Sequence, residues 1–143
     1  GEVLRLAGGV TVVDDSYNSN PRALAGALEV IGGEDRTARR IAVLGEMLEL
    51  GAQSRVLHET AGRTAAGTGL RYLITVGGDP ARALGQSAVA AGMNPRDVFH
   101  VDLSDQAANR LMTLVRPGDL VLVKGSRVIR TDIVVDRLKA EFA

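Results

Sequence analysis

Residues 10–21 read Val-Thr-Val-Val-Asp-Asp-Ser-Tyr-Asn-Ser-Asn-Pro, a β-prone run that leads directly into a helix start. Apolar residues recur at helical spacing from there to Ile31, which predicts a helix. Asn20 can cap that helix through its side-chain oxygen, and Pro21 suits the first helical position. Residues 14–21 therefore join the carboxyl end of a strand to a helix, and that edge of an open α/β sheet is where ligands bind.

The same alternation continues outward from this stretch. Gly8-Gly9 separates two β-prone runs and predicts a hairpin. Further strands are predicted at 41–44, 71–76, 98–101 and 120–123, helices at about 21–32, 55–67 (capped by Ser54), 79–91, 104–115 and 129–141, and a charged loop at 34–40. This order predicts one α/β domain with a mostly parallel six-stranded sheet, an antiparallel edge hairpin strand and about five helices.

The composition excludes several classes of function. The 143 residues include 17 basic and 17 acidic side chains, so no positive field favours nucleic acid, and aromatic residues at 3% leave little for base stacking. No apolar run approaches the ~20 residues of a membrane-spanning helix. The absence of cysteine excludes disulfides and thiol chemistry, and with two histidines a dedicated zinc site is not expected.

Polar residues follow four of the predicted strands: Asp14-Asp15, Gly45-Glu46-Met47, Gly77-Gly78-Asp79 and Lys124-Gly125-Ser126-Arg127. The carboxyl ends of parallel strands meet at one edge, so these groups should share a rim. Carboxylates there can accept hydrogen bonds from ribose hydroxyls or help hold Mg²⁺, and the two cations suit phosphate or carboxylate. Gly125 would let the backbone approach a ligand closely. A solvated rim of turn residues and helix caps explains the same pattern equally well.

Several catalytic patterns are missing from the chain. It has no phosphate loop, no dinucleotide fingerprint and no nucleophile elbow, and His58 and His100 are predicted as structural or surface residues. One alternative is a response-regulator receiver, because acids follow an early strand and Lys124 follows the last one. The expected central strand, however, ends at Val76 without a phosphorylatable acid. A non-catalytic binding module with this fold is the other alternative.

Three segments resemble the carboxyl-terminal domain of the Mur ligases, in particular of the members that add D-alanyl-D-alanine to UDP-N-acetylmuramoyl-tripeptide. These segments are residues 7–21 (Ala-Gly-Gly-Val-Thr-Val-Val-Asp-Asp-Ser-Tyr-Asn-Ser-Asn-Pro), residues 41–51 (Ile-Ala-Val-Leu-Gly-Glu-Met-Leu-Glu-Leu-Gly) and residues 116–127 (Arg-Pro-Gly-Asp-Leu-Val-Leu-Val-Lys-Gly-Ser-Arg). They follow the family's order and span nearly the whole chain, so the resemblance is specific.

The resemblance implies a Rossmann-like three-layer fold for residues 1–143, as the third domain of a cytoplasmic enzyme of peptidoglycan precursor synthesis. The domain that binds the UDP-sugar is absent from this chain. So is the central domain with the ATP phosphate loop, the Mg²⁺ ligands and a carbamylated lysine. We therefore expect a fragment of a longer protein that helps to bind ATP and D-alanyl-D-alanine but catalyses neither ligation nor ATP hydrolysis on its own.

The resemblance also implies roles for particular residues, with no catalytic residue and no metal ligand in this chain. The nucleotide is assigned to Asp15 at its ribose, together with Tyr17, Asn18, Asn20 and Asp14. The dipeptide is assigned to Lys124, Ser126 and Arg127, together with Glu46 and Met47, which fall between the two groups and could border either ligand. Asn20 could serve only as a helix cap, Asp14 is as consistent with structure as with binding, and Met47 could be a core filler.

Overall fold

A six-stranded sheet forms the centre of the structure, a computed structural model that describes residues 1–33 and 38–143. Its strands are β1 (Glu2–Arg5), β2 (Thr11–Asp15), β3 (Arg40–Gly45), β4 (Tyr72–Val76), β5 (Val98–Val101) and β6 (Leu120–Lys124). The described helices are α1 (Pro21–Gly32), α2 (Ser54–Ala66), α3 (Asp79–Ala90), α4 (Ser104–Met112) and α5 (Asp132–Glu141). The predicted order of strands and helices is confirmed, while residues 34–37 of the predicted charged loop lie outside the described residues.

The strands lie in the order β1-β2-β6-β3-β4-β5. β1 pairs with β2 in the antiparallel direction, and every other pair is parallel, so the predicted mixed sheet with its edge hairpin is confirmed. If the five parallel strands β2 to β6 are renumbered 1 to 5 along the chain, they lie side by side in the order 1-5-2-3-4. The strands of a receiver lie in the order 2-1-3-4-5. The order in this sheet differs from that of a receiver, and β6 and β3 are central rather than β4, so the receiver alternative is wrong.

The helices form one layer on each face of the sheet. Alternate residues of β6 show the division, because Val121 and Val123 pack in the core under α4 and α5, while Leu120 and Leu122 pack under α1, α2 and α3. Both faces are covered, which is why the inner strands are continuous apolar runs. No helix in the described ranges combines the length and the apolar character needed to span a bilayer.

The helix starts are set by local chemistry that the sequence only partly predicts. Asn20 caps α1 as expected, since its Oδ1 accepts a hydrogen bond from the Ala23 nitrogen at 2.9 Å. Ser54 does not cap α2, because the 3₁₀ turn Gly51–Gln53 runs straight into the helix and Ser54 is already its first residue. α5 begins at Asp132 rather than near 129, because Arg130 has a left-handed φ of 63° that interrupts helical geometry.

Candidate functional site

The central strand β6 lies at a topological switch of the sheet. The chain leaves its neighbours β2 and β3 toward α1 and α2 on one face, and it leaves β6 toward α5 on the other. Loops that diverge in this way open a crevice at the carboxyl ends of the strands, where α/β proteins bind ligands. The parallel register sets Asp15 beside Lys124, and Lys124 beside Leu44. The rim predicted from the sequence is therefore centred on β6.

A cleft of about 470 Å³ opens at the β2 side of this crevice. It gathers four of the five predicted nucleotide residues in its wall, which consists of Gly1, Glu2, Asp14, Asp15, Tyr17 and Asn18. Clefts of about 530 and 540 Å³ lie at the β5 edge and between the hairpin and α1. We place the candidate site in the smaller cleft, because it lies at the switch point and presents carboxylate, phenol and amide groups together.

Lys124 is directed into the loop after β2. Lys124 is only 4% exposed, and its ammonium donates a hydrogen bond to the backbone carbonyl of Asn18 at 2.6 Å. The same nitrogen lies 3.7 Å from Oδ2 of Asp15, whose side chain remains 25% exposed. The other carboxylate oxygen of Asp15 lies 3.2 Å from the Gly1 nitrogen. Lys124, predicted to hold the dipeptide, is thus engaged with the predicted nucleotide residues.

Two of the predicted nucleotide residues also shape the loop itself. Oδ1 of Asp14 accepts hydrogen bonds from the backbone nitrogen of Ser16 at 3.1 Å and from its hydroxyl at 2.6 Å. Asn20 uses its side chain to cap α1. Tyr17 and Asn18 are exposed, and Asp15 is partly exposed. Asp15, Tyr17 and Asn18 are therefore the groups that this loop offers to a ligand.

Arg127 connects the two predicted groups of site residues. Its guanidinium carbon lies 5.8 Å from the centroid of the Tyr17 ring, within the range of a cation–π contact. Both side chains are exposed. Next to Arg127, the hydroxyl of Ser126 is buried and has no hydrogen-bond partner in the described part of the chain. The loops after β2 and β6 therefore meet in one continuous surface.

Gly125 has a packing role rather than the expected role of admitting a ligand. A Cβ at this position would collide with the Thr131 hydroxyl and would lie 2.7 Å from its Cγ2. Thr131 is fully buried, and its hydroxyl donates to the Ser16 carbonyl at 3.4 Å. Thr131 therefore packs the β6 loop against the β2 loop. The sequence offers no signal for this, because the residue falls inside the predicted helix 129–141.

The loop after β3 is held by contacts with other parts of the domain. Oε1 of Glu46 accepts a hydrogen bond from the Gly78 nitrogen at 2.7 Å, which ties this loop to the start of α3. Met47 is 1% exposed and packs in the core, so the structure supports the core-filler alternative and offers no side-chain contact with a dipeptide. Its nitrogen donates to Nε2 of His58 at 2.9 Å, and Nδ1 of His58 lies 2.7 Å from the Ser54 carbonyl. His58 is thus structural, with its proton on Nδ1.

The second histidine lies away from this crevice, on the edge strand β5. Burial, and then the nearby Arg82 guanidinium, lower the pKa of His100 from its usual value of 6.5. Its Nδ1 lies 2.9 Å from the Thr75 hydroxyl. Within residues 1–33 and 38–143, no three histidine or carboxylate side chains group closely enough to hold a metal ion. That the Mg²⁺ ligands belong to another domain remains a prediction.

Comparison with known proteins identifies relatives along the whole chain. The family described as Mur ligase, glutamate ligase domain, matches residues 1–127. The UDP-N-acetylmuramoyl-tripeptide–D-alanyl-D-alanine ligase of Mycobacterium leprae is 36% identical over 99% of this chain and 30% of its own length. The ligase of the same name from Escherichia coli is 30% identical over 95% of this chain and 28% of its own length. The chain thus spans less than a third of these relatives.

Solved structures show the same likeness. MurF ligase from Thermotoga maritima in complex with ADP superposes with a TM-score of 0.78 and 28% identity, over 98% of this chain and 30% of that one. MurF from Acinetobacter baumannii gives a TM-score of 0.82 over 97% of this chain and 30% of that one, and at 24% identity it supports the fold alone. The predicted Rossmann-like three-layer architecture is therefore confirmed.

Proposed function

Since the chain belongs to the Mur ligase family, we propose that it is the carboxyl-terminal domain of an ATP-dependent amide ligase. That enzyme joins D-alanyl-D-alanine to UDP-N-acetylmuramoyl-tripeptide in the cytoplasm, as a step in peptidoglycan precursor synthesis. Residues 1–143 form one domain, and the sugar-binding and ATPase domains lie elsewhere in the longer polypeptide. The observation that carries this proposal is the match of nearly the whole chain to D-alanyl-D-alanine ligases, together with the gathering of four of the five predicted nucleotide residues in one cleft.

The β2 half of the crevice binds the nucleotide. The partly exposed carboxylate of Asp15 accepts hydrogen bonds from the ribose hydroxyls, and Tyr17 and Asn18 contact the adjoining edge of the nucleotide. A cleft of about 470 Å³ suits part of such a ligand, because small-molecule sites range from ~300 to ~1,000 Å³. Asp14 and Asn20 support this surface through the loop and the helix cap. The Thermotoga maritima relative is described with ADP bound, which agrees with a nucleotide in this family.

The β6 half binds the dipeptide. Arg127 is exposed and can hold the terminal carboxylate with two parallel hydrogen bonds, while the Ser126 hydroxyl can turn to donate a third. Lys124 was predicted for the same pocket, but its ammonium is engaged elsewhere and Arg127 remains the accessible cation. Glu46 borders the crevice from the β3 side and orders the adjoining turn.

In the proposed reaction this domain positions the substrates rather than reacting with them. The tripeptide carboxylate attacks the γ-phosphorus of ATP, giving an acyl phosphate and ADP. The amine of D-alanyl-D-alanine then attacks the acyl carbon, and phosphate and a proton leave. Holding the ribose and the dipeptide carboxylate on neighbouring loops brings the amine toward the acyl group, which lowers the entropic part of the barrier. Mg²⁺ would be held by the central domain and would neutralise phosphate charge.

The test is to isolate the native polypeptide that carries this sequence and to assay ligation. We expect a protein about three times the length of this chain, judged from the 30% coverage of its relatives, with a phosphate loop upstream. It should form the pentapeptide product only when ATP, D-alanyl-D-alanine and the UDP-tripeptide are all present. The 143-residue chain should show no ATP turnover. A native product of this length without ligase activity would refute the ligase proposal and favour a binding module.

A turnover measurement on the purified 143-residue chain tests the assignment of the chemistry to other domains. ATP hydrolysis that is proportional to the chain and abolished by Asp15→Ala would contradict that assignment. The matched control is Asp102→Ala, which removes a carboxylate that follows β5 and is 77% exposed.

A further inference from the structure

Lys124 is a buried charge whose described partners are Asp15, the last residue of β2, and Asn18 in the loop between β2 and α1. Burying an ammonium is costly unless charge and hydrogen bonds compensate it, so its placement calls for an explanation. The hydrogen bond to the Asn18 carbonyl joins residues 106 positions apart in the chain. The contact with Asp15 reaches the last residue of β2, immediately before that loop. Lys124 therefore ties the centre of the sheet to the proposed nucleotide loop.

The loop has other anchors, which in the described structure are hydrogen bonds at its start and end and the contact between the exposed Tyr17 ring and Arg127. Ser16 is bound to Asp14 at the start of the loop, and Asn20 is bound to the first turn of α1 at its end. Asn18 lies between these points, beside the exposed Tyr17 ring. In the described structure the Lys124 ammonium is the hydrogen-bond donor that reaches the Asn18 carbonyl. Without that donor, the segment that carries two proposed nucleotide contacts would be held at its ends and, between them, by the exposed Tyr17–Arg127 contact.

The distances also leave Asp15 able to bind a ligand. The Lys124 nitrogen is 3.7 Å from the Asp15 carboxylate, which is an ion-pair contact but longer than a hydrogen bond. The carboxylate is therefore held in orientation by the charge of Lys124 at one oxygen and by the Gly1 nitrogen, 3.2 Å away, at the other, and a hydroxyl donor can reach it through its 25% exposed surface. β6 is paired on both sides, with β2 and with β3, so its backbone is held by ladder hydrogen bonds that do not involve the Lys124 side chain.

We propose that Lys124 is a positioning residue for the nucleotide, one that holds the Asp15 carboxylate and the Asn18 backbone in their binding arrangement before the ligand arrives. Preorganisation of this kind raises affinity, because the loop loses less conformational freedom on binding. The inference rests on the proposed function, since it takes the β2 loop as the nucleotide site. It also assigns Lys124 to the nucleotide side of the crevice, leaving the dipeptide carboxylate to Arg127.

The experiment uses the ¹⁵N-labelled 143-residue chain with Lys124→Met, which removes the charge but keeps a similar length. ADP is titrated by NMR, and amide hydrogen exchange is measured across residues 16–20 without ligand. We expect millimolar affinity for the wild type and a loss of about tenfold in Lys124→Met, with faster exchange in the loop. Lys139→Met is the matched control, because Lys139 is the only other lysine in the sequence and is exposed on α5. It should change neither measurement.

Chemical rescue separates positioning from general destabilisation. The chain contains no cysteine, so Lys124→Cys can be alkylated at one site with 2-bromoethylamine in denaturant and refolded, which restores an ammonium at nearly the same reach. We expect the aminoethylated protein to recover ADP affinity and loop protection, and the S-propyl adduct, which has similar bulk but no charge, to recover neither. Should Lys124→Met fail to fold, Lys124→Gln is measured against the same criteria.

The outcomes distinguish this inference from the proposed function. Lys124→Met with wild-type ADP affinity and wild-type exchange in residues 16–20 would overturn the inference. If wild-type chain shows no ADP-induced shifts at Asp15 and Tyr17 up to about 10 mM, where a millimolar site would be mostly filled, the nucleotide site fails. The ligand-free exchange measurement still decides whether Lys124 holds the loop. A loss of thermal stability alone, with unchanged affinity, would mark Lys124 as merely structural.

Discussion

Replacing Asp15 with asparagine separates the effect of the side chain's charge from the effect of its shape, at the residue proposed to bind the ribose. The amide keeps one acceptor oxygen in nearly the same place but removes the negative charge that faces Lys124 and the cleft. Two quantities should change independently: the affinity for nucleotide and the free energy of unfolding.

The size of each change follows from the contacts. Hydrogen bonds to charged groups contribute about 1.5–3 kcal/mol and neutral ones about 0.5–1.5 kcal/mol, so losing the charge should cost about 1–1.5 kcal/mol of binding. That corresponds to a five- to tenfold weaker affinity, roughly, at 1.4 kcal/mol per factor of ten. The unfolding free energy should fall by about 1–2 kcal/mol, between the values for exposed and buried pairs, because Lys124 is buried but Asp15 is 25% exposed.

The assay is an ADP titration of the purified chain, followed by NMR, with thermal unfolding measured on the same samples. In the proposed full-length ligase the corresponding result is a raised KM for ATP. Asp102→Asn is the matched control, because it neutralises an exposed carboxylate that follows β5 and should alter neither quantity. ADP affinity within twofold of wild type in Asp15→Asn, combined with weaker use of D-alanyl-D-alanine, would refute the ribose assignment.

Three further predictions follow from the contacts of single residues. Arg127→Ala should raise the KM for D-alanyl-D-alanine by about tenfold in the native enzyme, since it loses a charge-assisted pair, and unchanged dipeptide kinetics would count against the pocket. Gly125→Ala should lower the unfolding free energy by about 1–3 kcal/mol, because the added Cβ would collide with Thr131. The measurement is denaturant unfolding of this variant and of the double variant with Thr131→Ala, in which part of the lost stability should return. Because the pKa of His100 is lowered in the folded state, the folded state binds fewer protons than the unfolded state, and the free energy of unfolding should fall as the pH drops below about 6.5. A His100→Gln variant whose stability has the same pH dependence as wild type would contradict this.

The helices and strands were largely predictable, because periodicity and caps are local properties. α1 begins and ends where Asn20, Pro21 and the glycine pair at 32–33 indicate. α5 was predicted three residues too long at its start, since apolar spacing does not report the left-handed backbone at Arg130. The strand order was not predictable, because insertion of β6 between β2 and β3 depends on contacts between distant parts of the chain.

The site was predictable as a set of residues but not as an arrangement. Carboxyl ends of parallel strands must meet at one edge, so the polar groups after β2, β3 and β6 could be placed on a common rim. Their individual orientations could not be. Met47 turns into the core, Glu46 binds the Gly78 nitrogen, and Lys124 crosses to Asn18, although all three were assigned to the candidate site from the sequence. Thr131 carries no local signal of its contact with Gly125.

The amino-acid pattern alone thus specified an α/β domain, its element order and the polar residues of the rim at which we propose that ligands bind. These depend on side-chain polarity, on helical or alternating spacing, and on caps that act over three or four residues. The partners of each rim residue came only from the folded chain. β6 brings residue 124 beside residue 15, and a buried ammonium takes whichever carbonyl and carboxylate the packed strands set within reach.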